Sequence, residues 1–401
     1  MVNPAPMAGS PVATPAGKVV RPGGGASRTG VFQATPPAPQ ELLARALTRS
    51  LGQPLASGNS VLPLFEAAAA DTAVRAALEE ARDHVNLAGR VAGAAPEALA
   101  RLVAGLAACA KAGVRVNLLL DGWDERAPWP AVLEPLRRPG ITLCGDGGPT
   151  RRLGIALAGG DRQPLLVVDG RLAFVDHVVA PVAVPAGPWQ VAALRVEGPL
   201  VAQLQSVFVE RWRRVAERPM QPGRHFPPLP PVGAQRVGLA ACETGRGPAP
   251  LRQALHSALG VARQRIVLAA RHGDPGRELL AALAAAAERG VAVRLLRAPG
   301  AGRRPPGLPA SVVVHDRDAG LGAAPSNLCV VDGVWCALGA TRLDGRGWLH
   351  EAAAGLVVLD AGFGARLEAL FDAEAARGAD APARPGGGRR AWIGQRFVVP
   401  L

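Results

Sequence analysis

The tetrapeptide Val-Val-Asp-Gly occurs twice in this chain of 401 residues, at Val167–Gly170 and Val330–Gly333, each time ending an apolar, strand-like run. The surroundings match as well, LLVVDGRLAFV in the first copy and LCVVDGVWCAL in the second. Asp-Gly between two apolar runs predicts a type I′ hairpin turn, whose two central residues both need positive φ. Two such hairpins in one context mean that the fold is built twice.

Other segments repeat in the same order. RAALEEARDHVNLAG (Arg75–Gly89) and LHSALGVARQRIVLAAR (Leu255–Arg271) each read as an amphipathic helix running into a strand, with Ala81-Arg82 aligned on Ala262-Arg263. A second helix and strand follow, Leu99–Leu120 and Leu279–Arg297, with Gly113 and Gly290 where a helix C-terminus calls for positive φ. The apolar strands after these glycines suit a sheet covered by helices. Each half closes on an amphipathic helix, Gly198–Val215 and Ala365–Gly378. The expected plan is α/β: two similar lobes, each a mixed sheet flanked by helices, related by a pseudo-twofold axis. The lobes are expected over residues 58–217 and 234–378. A disordered Pro/Gly/Ala-rich tail is expected over 1–57, a proline-rich linker over 218–233, and a C-terminal tail over 379–401.

Charge narrows the function less than its size suggests. The net charge is +13, which favours an anionic partner, but lysine occurs only at Lys18 and Lys111. Arginine excess beside abundant Ala, Gly and Pro reflects a GC-rich codon supply as much as a binding surface. Aromatic content of 4% with no Tyr leaves nucleic acid without a stacking platform. Five cysteines without ligand spacing give no metal site and suit a reducing compartment. Cys329 and Cys336 would stand opposite each other if the turn between them has two residues. No run of about 18 uncharged apolar residues predicts a membrane span, and the N-terminus lacks the apolar core of a secretory signal. A cytoplasmic protein, at most peripheral to a membrane, is the expectation.

These residues resemble the phospholipase D superfamily, particularly its bacterial cardiolipin-synthase-like branch. The matches are VVDGRLAFV, Trp189 and RVEGPLVAQLQSVFVERW in the first half; in the second they are AAAAERGVAVRLL, VVDGVWCALGA, Leu343-Asp344 and Arg346. The resemblance spans roughly residues 58–378. It implies a motif His-x-Lys-x4-Asp in each half. One histidine would attack phosphorus, the other would protonate the leaving alcohol, and the lysines would neutralise phosphoryl oxygens. His and Lys two apart on a strand would share one face, toward the cleft between the lobes.

Counting back from each aspartate gives other residues. Before Asp169 the His position is Arg162 and the Lys position Pro164; before Asp332 they are Pro325 and Asn327. No His-x-Lys exists anywhere in the chain, since neither lysine has a His two residues before it. Asp-Gly is also what a tight turn wants for backbone reasons, which explains Asp169 and Asp332 without catalysis. The expectation is therefore a relative without the standard machinery and without a cofactor, binding phosphate-bearing ligands such as phospholipid headgroups. Arg162, Asn327, Arg342, His177 and His315 are the candidate contacts. Two alternatives stand beside it: an active phosphodiesterase or phosphatidyltransferase using His177 or His315, and a structural partner of an active paralogue.

Overall fold

The computed structural model describes residues 39–90, 96–121, 131–145, 164–176, 193–216, 220, 222–242, 250–270, 274–297, 303–317, 327–339, 343 and 353–379. The first half runs through β1 (Ala56–Leu64), α2 (Ala67–Glu80), β2 (His84–Arg90), α3 (Pro96–Lys111), β3 (Arg115–Asp121) and β4 (Ile141–Gly145). It ends with the hairpin β5 (Leu165–Val168) and β6 (Leu172–Val175), then β7 (Ala193–Glu197) and α4 (Leu200–Val215). After a single turn α5 (Pro222–His225), the second half repeats the order: β8 (Gln235–Cys242), α6 (Pro250–Val261), β9 (Arg265–Ala270), α7 (Arg277–Glu288), β10 (Ala292–Arg297) and β11 (Val313–Asp316). The hairpin β12 (Asn327–Val331) and β13 (Trp335–Gly339), β14 (Ala353–Leu359) and α8 (Ala361–Ala379) complete it.

The strands form one 14-stranded order, β11-β10-β9-β12-β13-β14-β8-β1-β7-β6-β5-β2-β3-β4. Read from the β8–β1 junction outward, each half gives the same sequence of strands, so the duplication is also a palindrome in space. The junction is short and antiparallel, pairing Ala56 with Val237 and Asn59 with Gln235, with an irregularity between them. Asn59 is buried there, donates to Ala56 O at 2.8 Å, and accepts the first amide of α4, Leu200 N, at 2.7 Å.

Strand alternation sorts the apolar residues into layers. One core contains Leu165, Val167, Leu328 and Val330 together with Leu204 and Phe208 of α4 and Leu367 and Phe371 of α8. It joins one face of both half-sheets to the two closing helices. The opposite face of the first half packs Leu166 and Val168 under α2 and α3, and that of the second packs Cys329 and Val331 under α6 and α7. The mixed α/β plan of two similar lobes stands.

Local signals read from the sequence stand too. Gly113 and Gly290 have φ of 89° and 87°, and the next residue's amide closes each helix end, Val114 N to Cys109 O and Val291 N to Ala286 O. Asp169-Gly170 and Asp332-Gly333 all take positive φ, as a type I′ turn requires. The ladder, however, starts one residue later than a two-residue loop gives, with Val168 opposite Leu172 and Val331 opposite Trp335. Cys329 therefore faces Ala337, while Cys336 faces Val330; the two thiols lie in different cores and both are free. Burial raises both thiol pKa values.

Two boundaries change. The expected tail over 1–57 gives way to helix α1 (Pro39–Leu51), whose Leu43, Leu47 and Leu51 join the outer core of the second half. Their four-residue spacing makes a helical stripe that the surrounding Pro, Gly and Ala conceal in composition. The linker expected over 218–233 docks on the first half, where His225 is buried. Residues 1–38 and 380–401 lie outside the described residues.

Candidate functional site

The two aspartates of the repeated motif serve the backbone. Asp169 accepts amides from Arg82, Asp83 and His84 at 2.8, 2.8 and 2.9 Å. Asp332 accepts those of Arg263, Gln264 and Arg265 at 3.0, 2.7 and 3.0 Å. Each carboxylate thus ties the hairpin turn to the loop that delivers the first repeated strand, β2 or β9. Four residues lie between each and the family's Lys position, five steps or about 17 Å at the rise of a strand.

Pro164 and Asn327 occupy those Lys positions at the other end of β5 and β12. Pro164 accepts the Asp176 amide at 3.1 Å, and Asp176 itself is buried with φ of 64°. A left-handed, buried carboxylate at this edge had no signal in the sequence beyond the short polar break after β6. Asn327 is buried opposite Gly339. It borders a void of about 10 Å³ with Leu251, Leu255, Cys329, Ala337 and Leu343, room for no more than one water.

The expectation that these positions face the cleft between the lobes meets a different phase. Asn327 shares the face of Cys329 and Val331, and Pro164, just before β5, falls in phase with Leu166 and Val168; those four apolar residues pack under the outer helices. Leu165, Val167, Leu328 and Val330 take the central face instead.

His315 lies on β11, separated from β12 by β9 and β10. Three strand spacings put its strand about 14 Å from that of Asn327. His315 and Arg317 do share a face, as the sequence suggested, and that face meets α8. The His315 ring packs edge-on against Phe371 with centroids 6.0 Å apart, and Arg317 pairs with Glu374. Burial lowers the His315 pKa, with Arg294 adding to the effect and Asp372 and Asp316 opposing it. Arg162, Pro325, His177 and Arg342 lie outside the described residues, as does Trp189.

One set of charged groups that the described residues bring together ends β10 and β11. Arg297, 2% exposed, donates to both oxygens of Asp316 at 2.7 and 2.8 Å, to Asp274 at 3.0 Å and to the Arg303 carbonyl at 3.1 Å. Glu374 is equally buried between Arg317 and Arg377. Isolated arginines in an arginine-rich chain gave no reason to single these out. Among the described residues, no group of three or more His, Cys, Asp or Glu is placed to hold a metal ion.

Two half-sheets, each with the same strand order and each closed by a helix in a shared central core, define a duplicated, two-lobed α/β protein. Compared with solved structures, this fold is similar to phosphatidylserine synthase from Haemophilus influenzae, with a TM-score of 0.56 at 13% identity over 83% of this chain and 89% of that one. It is also similar to polyphosphate kinase from Porphyromonas gingivalis, with a TM-score of 0.52 at 14% identity over 78% of this chain and 46% of that one. In sequence, the chain is 26% identical over 283 residues to cardiolipin synthase A of Pseudomonas aeruginosa, covering 65% of this chain and 56% of that protein. Against cardiolipin synthase A of Erwinia tasmaniensis it is 27% identical over 325 residues, 74% of this chain and 65% of that one. No protein-family model matches the chain. The chain spans a little over half the length of the first of these relatives. In sequence the chain is thus similar to bacterial cardiolipin synthases, and in fold to phosphatidylserine synthase.

Proposed function

We propose that this protein binds phosphate-bearing ligands, a phospholipid headgroup or a phosphodiester, without the phosphohistidine chemistry that the family resemblance implies. The observation that carries the reading is the absence of any His-x-Lys pair from the whole chain. Without an imidazole at either motif position there is no nucleophile for phosphorus and no acid for the leaving alcohol. Without lysine, developing phosphoryl charge loses its clamp. Pro164 supports the reading further, since a proline there has neither a cationic side chain nor an amide to offer a phosphate.

Arginine is the side chain that this chain has in supply for a phosphate, and its fork holds two phosphoryl oxygens at once. Arg162, Arg342 and His177 are the proposed contacts. Asn327 and His315 are weaker members, the first because of its phase on β12 and the second because of its distance along the sheet. No helix among the described residues is long and apolar enough to cross a membrane.

The test uses purified protein and vesicles of phosphatidylcholine with or without 30 mol% phosphatidylglycerol, roughly the anionic content that lets a few arginines register. Binding to the anionic vesicles, weakened by Arg162→Ala with Arg342→Ala, is expected, with no cardiolipin formed and no acid-labile phosphohistidine on the protein. Cardiolipin formation or a phosphohistidine adduct would overturn the reading, and so would binding that ignores the arginine pair.

A further inference from the structure

The linker meets the first lobe at a polar cluster without a counterpart among the described residues of the second lobe. His225 ends the turn α5 and is buried, its ring centroid 4.2 Å from that of His84. His84 opens β2 and is fully buried, with Nδ1 2.9 Å from Asp83 Oδ2. Asp83 also pairs with Arg115 at 3.1 Å and with Arg224 at 3.7 Å. Asn117 donates to Asn86 Oδ1 at 2.8 Å, which turns the Asn86 amide nitrogen toward His225 Nδ1, 3.3 Å away.

These contacts assign the tautomers. An Asn86 amide that donates needs an acceptor at His225 Nδ1, so the His225 proton sits on Nε2. His84 keeps its proton on Nδ1, facing the carboxylate. Its Nε2 is then a buried lone pair with no hydrogen-bond partner among the described residues.

The corresponding positions in the second lobe are solved differently. Where β2 and β3 have His84 and Asn117, β9 and β10 have Arg265 and Arg294, paired with Glu368 and Asp372 of α8. A helix covers that edge, whereas a piece of linker covers this one. The linker is closely seated: a Cβ on Gly170 would stand 2.5 Å from the His225 carbonyl oxygen and 2.7 Å from Pro227 Cδ. Further on, Val232 donates to Gly58 O at 2.9 Å.

We propose that residues 222–232 form an acid-released latch, closed on the first lobe by the neutral His84–His225 pair and opened when that pair takes up a proton. A proton added to His225 must go to Nδ1, which sets a donor against the Asn86 NH2 and leaves a charge in a buried site. The cations facing the pair, Arg115 and Arg224, oppose that charge. The anions facing it, Asp83 and Asp169, are already engaged, the first by the two arginines and the second by backbone amides. Burial, with His84 and Arg115 adding and Asp83 opposing, lowers the His225 pKa to about 4. Burial also lowers that of His84, against the raising effect of Asp83 and Asp169.

The sign of the effect follows from the depressed value. A histidine held neutral contributes to closure fully above its ordinary pKa, about 6.5, and the contribution is lost as pH falls toward the docked value. For His225 alone, the opening constant rises about 100-fold between pH 7 and pH 4.

Hydrogen exchange on the full chain, corrected for the chemical exchange rate, tests this. Protection of the backbone over residues 223–226 is expected to fall about 100-fold between pH 7 and pH 4 while β5 and β6 stay protected. His225→Gln is expected to flatten that dependence. A variant with the wild-type pH dependence overturns the proposal, as does simultaneous loss of protection in β5 and β6. If His225→Gln fails to dock at either pH, the His225 ring titration in the wild-type protein decides. A midpoint near 4 upholds the latch and one near 6.5 overturns it.

Discussion

Asp169 and Asp332 perform one task in two degrees of shelter, which makes them a matched pair for mutation. Each carboxylate gathers three backbone amides, and each residue sits at φ of 51°. Around Asp169, the bonds from Asp83 and His84 are partly buried and only that from Arg82 is exposed; around Asp332 all three are exposed. A hydrogen bond to a charged group contributes about 1.5–3 kcal/mol net, but an exposed amide released by mutation recovers most of that from water. An Ala in the left-handed region adds about 1 kcal/mol of strain. Asp169→Ala should therefore cost about 4 kcal/mol, two sheltered bonds plus the strain, and Asp332→Ala about 2. Asn tolerates this φ and keeps one acceptor oxygen, so Asp169→Asn should lose about half as much. At about 2 °C per kcal/mol for a chain of this size, the alanine variants should melt about 8 °C and 4 °C below the wild type. Thermal unfolding followed by circular dichroism reads this directly. Equal shifts, a larger shift for Asp332→Ala, or no shift in either variant would refute the reasoning.

Three further outcomes follow from the core. Glu374→Leu removes the buried carboxylate that Arg317 and Arg377 share and should destabilise by about 3–5 kcal/mol, whereas adding Arg317→Met should recover part of the loss; chemical denaturation of the two variants checks this. Gln205 is fully buried in α4 with neither side-chain polar atom partnered among the described residues. Gln205→Leu should stabilise by about 1–3 kcal/mol, read as a raised melting temperature. Gly364 in α8 lies against the Gly333 carbonyl and the Cys336 thiol, so Gly364→Ala should lower the melting temperature by several degrees, whereas Gly260→Ala, where a Cβ meets open space, should not.

Much of this architecture was legible because its signals are local. A Gly after a helix, an Asp-Gly between apolar runs and a 3.6-residue stripe each report a backbone requirement met within a few residues. The junction strands β1 and β8 were not legible. ASGNSVLPL carries Gly, Ser, Asn and Pro, and its pairing partner lies in the other half. The hairpin register was misjudged by one residue because the turn dipeptide defines the turn but not the first ladder pair. At the site, counting from Asp169 and Asp332 led to Pro164, just before β5, and to Asn327, the first residue of β12. It did not reveal that Pro164 and Asn327 fall in phase with residues under the outer helices. The His225 seat on the first lobe was invisible, because a histidine in a proline-rich linker carries no periodicity. The Arg317–Glu374 pair joins residues far apart in the chain, and nothing in either neighbourhood points to the other.

The palindromic strand order has a consequence for how this chain could change. Two identical subunits meeting across a twofold axis must use one residue to serve both copies of every position. A fused chain is released from that rule, and each half can answer the same structural demand with different chemistry. The position opening the first repeated strand shows the release: it is His84 in one half and Arg265 in the other. The connecting segment, which a dimer of separate chains would not contain, supplies the partner on one side only. Asymmetry entered this molecule through the peptide that joins its halves.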